Sequence, residues 1–190
     1  MILDKENLTG VHPKDLMIHH GPTKLLLDKY HWHSPNIGIV ASYTPKSRDV
    51  VDHFGLFRGV DQIESCAQAI AGSCNGFLEC KKEGLEPLEL GAKFFPRFIS
   101  IGQVIFHNYL EEGDTFINIG YIKFCKFRQM VSDGRIYKVA KGLDLDEYFL
   151  HFTEKQLMEY DLSTDFTLVA ELFDITGRGI KKERLNQIKI

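Results

Sequence analysis

The apolar residues of this chain leave the strand period over one long stretch, and that stretch dictates its architecture. Between two regions of strand-like runs, Val60, Ile63, Ala67, Ile70, Cys74 and Phe77 recur at steps of three and four, the spacing of one helical face rather than of a pleated strand. The pattern predicts a helix from Val60 to near Gly84. At about 100° per residue, Ile63, Ala67, Ile70, Cys74 and Phe77 form an apolar arc, and Glu64, Gln68 and Asn75 share a narrow stripe beside it. Ala67, Ala69, Ala71, Gly72 and Ser73 keep this helix thin, so a sheet can approach closely. A carboxyl beside such a surface is expected to be partly desolvated with a raised pKa, a state that acid/base chemistry uses.

On one side of the helix, residues 25–34 and 37–45 read as antiparallel strands joined at Ser34-Pro35-Asn36, a cluster of turn formers. On the other, residues 98–110, 115–127 and 135–145 are rich in Ile, Val, Phe and Tyr and are separated by Glu111-Glu112-Gly113-Asp114 and Ser132-Asp133-Gly134. They predict a three-stranded meander. From Thr153 a short helix at TEKQLMEYDL, an amphipathic segment at DFTLVAELF, a Gly-x-Gly break and a charged end read as a tail. The expectation is an α+β fold: an antiparallel sheet wrapped around one long central helix in residues 1–150, with a C-terminal extension over 151–190.

A chain of 190 residues, 44% of them hydrophobic, suffices for one compact domain with a real core. The net charge of -3 comes from interspersed acids and bases without a long Lys/Arg block, so no nucleic-acid or anionic-membrane partner is expected. The opening MILDKENLTG lacks the basic flank and apolar stretch of a signal peptide. No run approaches the roughly 18 apolar residues of a membrane span, and a soluble, cytoplasmic protein is expected. Cys66, Cys74, Cys80 and Cys125 form no Cys-x-x-Cys pair, which argues for a reducing compartment and against structural zinc. His31 and His33 at i and i+2 on a strand, without a nearby carboxylate in sequence, are a weak ligand set, and no metal or cofactor is expected. His19-His20 reads as the entry to the first strand.

The segment GVDQIESCAQA, residues 59–69, resembles the helix signature of the hotdog-fold 3-hydroxyacyl-acyl-carrier-protein dehydratases, Gly-Val, three residues, Glu, two residues, Ala-Gln-Ala. HHGPTKLLLD at residues 19–28 is similar to that family's His-x-x-Pro-x-Leu-Leu-x-Asp segment, with Pro22 one place early. NYLEEGDTFINIGYI resembles its strand, Pro-Gly-Asp turn and strand. The chain more distantly resembles a hotdog protein co-expressed with flagella in epsilonproteobacteria. The resemblance implies a hotdog fold and a homodimer whose site pairs a histidine from the loop before the helix with an acid on the partner's helix. His53 and Glu64 occupy those places. It also implies an acyl-CoA or acyl-carrier-protein thioester as ligand, with the histidine removing the proton alpha to the carbonyl and the carboxyl helping the 3-hydroxyl leave as water. Residues expected at the ligand are Gly59 and Val60, whose unpaired N–H groups at a helix start suit an oxyanion, with Gln68 and Arg58 beside them.

The chain departs from that family before the helix. Asp52-His53-Phe54-Gly55-Leu56-Phe57-Arg58 lacks both prolines of the family loop and is three residues shorter, a length that spans about 10 Å when extended. Arg58 stands where it can pair with Glu64, depressing its pKa, or with a ligand phosphate. The sequence leaves three readings open. The first is a non-catalytic or regulatory acyl-thioester-binding protein, favoured by the short loop. The second is a dehydratase or hydratase using His53 and Glu64, and the third a thioesterase in which Glu64 activates water.

Overall fold

The computed structural model describes residues 1–185; residues 186–190 of the expected charged end lie outside it. The chain forms strands β1 (Lys29–Ser34), β2 (Gly38–Tyr43), β3 (Leu56–Phe57), β4 (Phe94–Ser100), β5 (Gln103–Phe106), β6 (Leu110–Glu111), β7 (Phe116–Lys126), β8 (Gln129–Val139) and β9 (Phe166–Lys181). The main sheet runs β1-β2-β7-β8-β9-β4, with β5 also on β9, and its pairs are antiparallel. β3 and β6 form a separate two-stranded pair.

The expected helix spans Gly59–Ala71, continues through a π-helical turn at Gly72–Leu78, and resumes over Glu79–Glu83. Gly84 ends it in the left-handed conformation, at φ 65°, where glycine carries no Cβ penalty. Ala67, Ile70, Cys74 and Phe77 are buried against the sheet. The close approach needs small residues on the sheet as well as on the helix. A Cβ on Gly120 would stand 2.5 Å from Ile70 Cγ1, and one on Gly134 2.5 Å from Cys66 Sγ. Because Ile70 is fully buried and stiff at χ1, Gly120→Ala is expected to destabilise the fold by about 1–3 kcal/mol through overpacking, measurable as a lower urea midpoint.

Alternation along β7 supplies two cores. Phe116 and Ile122 face the helix, while Ile117 and Ile119 join Val40, Tyr137, Leu145, Phe149 and Leu157 on the opposite face. Short helices Leu145–Phe149 and Glu154–Glu159 cover that second face. Among the described residues no helix is long and apolar enough to cross a membrane.

Three expectations are corrected. The stretch taken for a tail contains β9, which lies inside the sheet between β8 and β4, with Val169, Ala170, Leu172 and Ile175 fully buried. The meander's first run is instead an edge: β4 and β5 follow each other along β9, offset at Ser100–Gly102, and neither pairs with β7. The turn assigned to Ser132-Asp133-Gly134 falls within β8, and the hairpin turns at Phe127-Arg128, both left-handed at φ 55° and 60°. Glycine at 134 serves helix contact rather than a turn.

Candidate functional site

The stripe of Glu64, Gln68 and Asn75 becomes one wall of a cleft of about 270 Å³. Ala67 and Ala71 floor it, Met17 and His20 close one side, and Phe95, Pro96, Arg97 and Phe98 of β4 form the other. The cleft thus lies between the central helix and the edge strand of the sheet.

Glu64 is held by two neighbours. Gln68 Nε2 donates to its Oε1 at 2.9 Å, and His20 Nε2 stands 3.5 Å from the same oxygen. The His20 contact is the main reason its pKa falls below the usual carboxylate value, with Gln68 contributing and burial opposing. The expectation of a raised pKa is overturned because these donors stabilise the charged form more than partial burial penalises it. Gln68 is fully engaged: its Oε1 accepts from Leu26 N–H at 2.9 Å, and its Nε2 donates to Lys24 C=O at 2.7 Å as well as to Glu64. An amide has only two N–H groups to give, so Gln68 orients Glu64 and ties residues 24–26 to the helix.

The other expected residues stand apart from this cleft. His53 is exposed in a turn whose next two residues, Phe54 and Gly55, are left-handed at φ 56° and 79°. That turn is pinned by the β3–β6 pair and by Glu112 N–H donating to Gly55 C=O at 3.4 Å. Arg58 grips Asp61 with two hydrogen bonds of 2.6 and 2.9 Å rather than pairing with Glu64. Gly59 and Val60 open the helix, ahead of the first helical hydrogen bonds, which Asp61 and Gln62 both make to Arg58 C=O. The space that glycine leaves at 59 is faced by the Phe106 ring, 2.8 Å from where a Cβ would stand.

The histidine brought to Glu64 is His20. It follows the short helix Pro13–Leu16, on a segment that glycines of two helices admit: a Cβ on Gly76 of the central helix would meet Leu16 at 2.9 Å, and one on Gly91, in the short helix Pro87–Lys93, would meet Ile18 at 2.1 Å. Its Nδ1 is buried without a hydrogen-bond partner among the described residues. Its signal in the sequence was HHGPTKLLLD, which matches the family segment but does not reveal that it meets residue 64. His31 and His33 do not converge on one point. His31 bridges Asp146 and Ser42, each at 2.8 Å, and His33 bridges Leu8 N–H and Ser73.

No family model matches the chain, and no curated protein matches it. Among solved structures, the dehydratase heterocomplex ApeI:P from Xenorhabdus doucetiae superposes with a TM-score of 0.60 at 13% identity, over 89% of this chain and 91% of that one. The chain has a hotdog fold. Smu.793 from Streptococcus mutans UA159, solved bound to acetyl CoA, aligns at 10% identity over 82% of this chain and 91% of that one, with a TM-score of 0.48. The E. coli PaaI protein aligns at 12% identity over 77% and 79%, with a TM-score of 0.46.

Proposed function

We propose that this hotdog chain binds acyl thioesters, of coenzyme A or an acyl-carrier protein, as a cytoplasmic homodimer, and that it acts as a binding or regulatory protein rather than through a His53–Glu64 pair. The observation that carries the reading is the cleft itself: an ionised Glu64, held by His20 and Gln68 beside Asn75, at the polar wall of a cleft whose other lining is mostly apolar, from Met17, Ala67, Phe95, Phe98 and Met130, with Arg97 the one further charged group. A thioester head fits the polar wall and an acyl chain the apolar remainder. Against turnover, a carboxyl kept ionised has no proton to give a leaving hydroxyl, and His53 sits on a turn pinned by β3–β6. The dimer is supported by the edge formed by β4 and β5, where Phe95, Phe98, Ile99 and Phe106 are exposed. An uncovered apolar edge strand invites pairing.

A second reading is an enzyme in which His20 takes the place assigned to His53. The proximity of His20 to Glu64 favours it: a dehydratase or hydratase with His20 as acid/base, or a thioesterase with the Glu64 carboxylate activating water. The test is calorimetric titration with acyl-CoAs of rising chain length, alongside enoyl-CoA hydration and thiol release. Affinity is expected to climb by roughly 0.8 kcal/mol per buried methylene until the cleft is full, with neither activity above background. Sedimentation should give a dimer. A flat response to chain length overturns acyl binding. Hydration or thiol release that falls about 10²- to 10⁴-fold in Glu64→Gln or His20→Asn, but not in His53→Ala, installs the second reading.

A further inference from the structure

A second, narrower chamber of about 40 Å³ adjoins the cleft and shares Met17, His20, Ala71, Asn75 and Pro96 with it. At about 10–15 Å³ for each water-sized group, it admits the tip of a chain rather than its length. Leu16, Pro87, Leu90 and Phe94 make its walls apolar, yet Glu79 and Arg128 also line it.

Glu79 is only 6% exposed. Its Oε2 and the Nε of Arg128 are both shut off from solvent, and neither makes a hydrogen bond among the described residues although they lie 3.5 Å apart. The remainder of each side chain is anchored. Glu79 Oε1 accepts from Lys82 at 3.4 Å, the Arg128 Nη2 donates to Glu83 at 2.9 Å, and the guanidinium lies 4.2 Å from the Phe94 ring centroid. Neither orphaned atom can therefore turn toward the other without giving up a contact.

A carboxylate oxygen and an N–H that form an ion pair at 3.5 Å but share no hydrogen bond suit a group that donates to the first and accepts from the second. A hydroxyl does both with one oxygen. A methyl does neither, a carboxylate would face Glu79, and an ammonium would face Arg128. We propose that this chamber is a terminal subsite selecting acyl thioesters whose chain ends in a hydroxyl. The inference rests on the acyl-thioester reading and adds the chemistry of the far end of the chain.

The experiment titrates the full-length protein with two series of CoA thioesters, 8 to 16 carbons, one methyl-ended and one ω-hydroxylated. At the length that reaches Glu79, the ω-hydroxyacyl thioester is expected to bind about 10-fold or more tighter than its methyl-ended counterpart, as for hydrogen bonds to charged groups. At shorter lengths the hydroxyl should give no gain. Arg128→Lys keeps the charge but removes the Nε–H, and is expected to erase the preference, read within the variant as the ratio of ω-hydroxylated to methyl-ended affinity at each chain length. Methyl-ended binding that rises with length, with no hydroxyl preference at any length, overturns the subsite and leaves the acyl-binding reading standing. That is also the result if an ordered water alone satisfies the two atoms. A preference that survives Arg128→Lys overturns the assignment to this pair, and no binding by either series removes both proposals.

Discussion

A chain cut after Leu150 is expected not to fold. Its missing residues include β9, which is hydrogen-bonded to β8 on one side and to β4 and β5 on the other. Without it the edge formed by β4 and β5 has no sheet to join, and β8 keeps β7 but loses its second neighbour from Gln129 to Val139. Val169, Leu172 and Ile175 leave the core under the helix, and Leu157 leaves the core on the opposite face, each of them fully buried. At about 1.5–3 kcal/mol for each such side chain, these four alone approach the roughly 5–15 kcal/mol by which a domain is stable, before the lost ladder is counted. Residues 1–150 expressed alone should show no cooperative thermal or urea transition and poorly dispersed amide resonances. A two-state transition from that fragment would mean that β9 is an accessory to a sheet that is stable without it.

The same strand shows where the sequence is readable and where it is not. The central helix was legible because its one-sided burial prints a period on the sequence, and β1, β2 and β7 because their runs are bounded by turn formers. β9 was masked by Gly177-Arg178-Gly179, which reads as a break. In the sheet Gly177 makes room for Met130, whose Cε would stand 2.6 Å from a Cβ there. A glycine admitting a neighbour and a glycine breaking a strand look alike in sequence. Asp174, left-handed at φ 55°, adds an irregularity within β9. The site divides in the same way. The stripe of Glu64, Gln68 and Asn75 follows from helical geometry alone, and it lines the cleft. The approach of His20 to Glu64 is a tertiary contact across 44 residues (64 − 20), and no local period encodes it. The π-helical turn at Gly72–Leu78 was likewise invisible, because a bulge of one turn leaves the apolar arc nearly in place.

Acid should destabilise this protein well above the ordinary carboxylate range, through His33. This residue is 5% exposed, its Nδ1 accepts from Leu8 N–H at 3.0 Å, and its Nε2 lies 2.8 Å from Ser73 Oγ. Because Nδ1 is an acceptor, the ring proton sits on Nε2 and is donated to Ser73. Protonation would add a hydrogen at Nδ1, facing the Leu8 N–H, and would place a charge where burial already holds the pKa down at about 4 against an ordinary 6.5. The folded state therefore favours neutral His33. Its contribution is complete above about pH 6.5, declines as the pH falls, and is gone by about pH 4. Two and a half units at 1.36 kcal/mol each amount to about 3 kcal/mol. His31 acts in the same direction, since burial lowers its pKa while Asp146 partly opposes. Urea unfolding at pH 7 and pH 4.5 is expected to show the parent losing stability on this scale and His33→Gln, which can keep an acceptor and a donor at the two positions, losing about 2–3 kcal/mol less. Leu8, fully buried and bonded to the ring, should report the event locally. Its amide is expected to exchange with solvent faster as the pH falls through 6 than intrinsic exchange chemistry allows. Equal acid losses in parent and variant would transfer the sensitivity from His33 to the carboxylates.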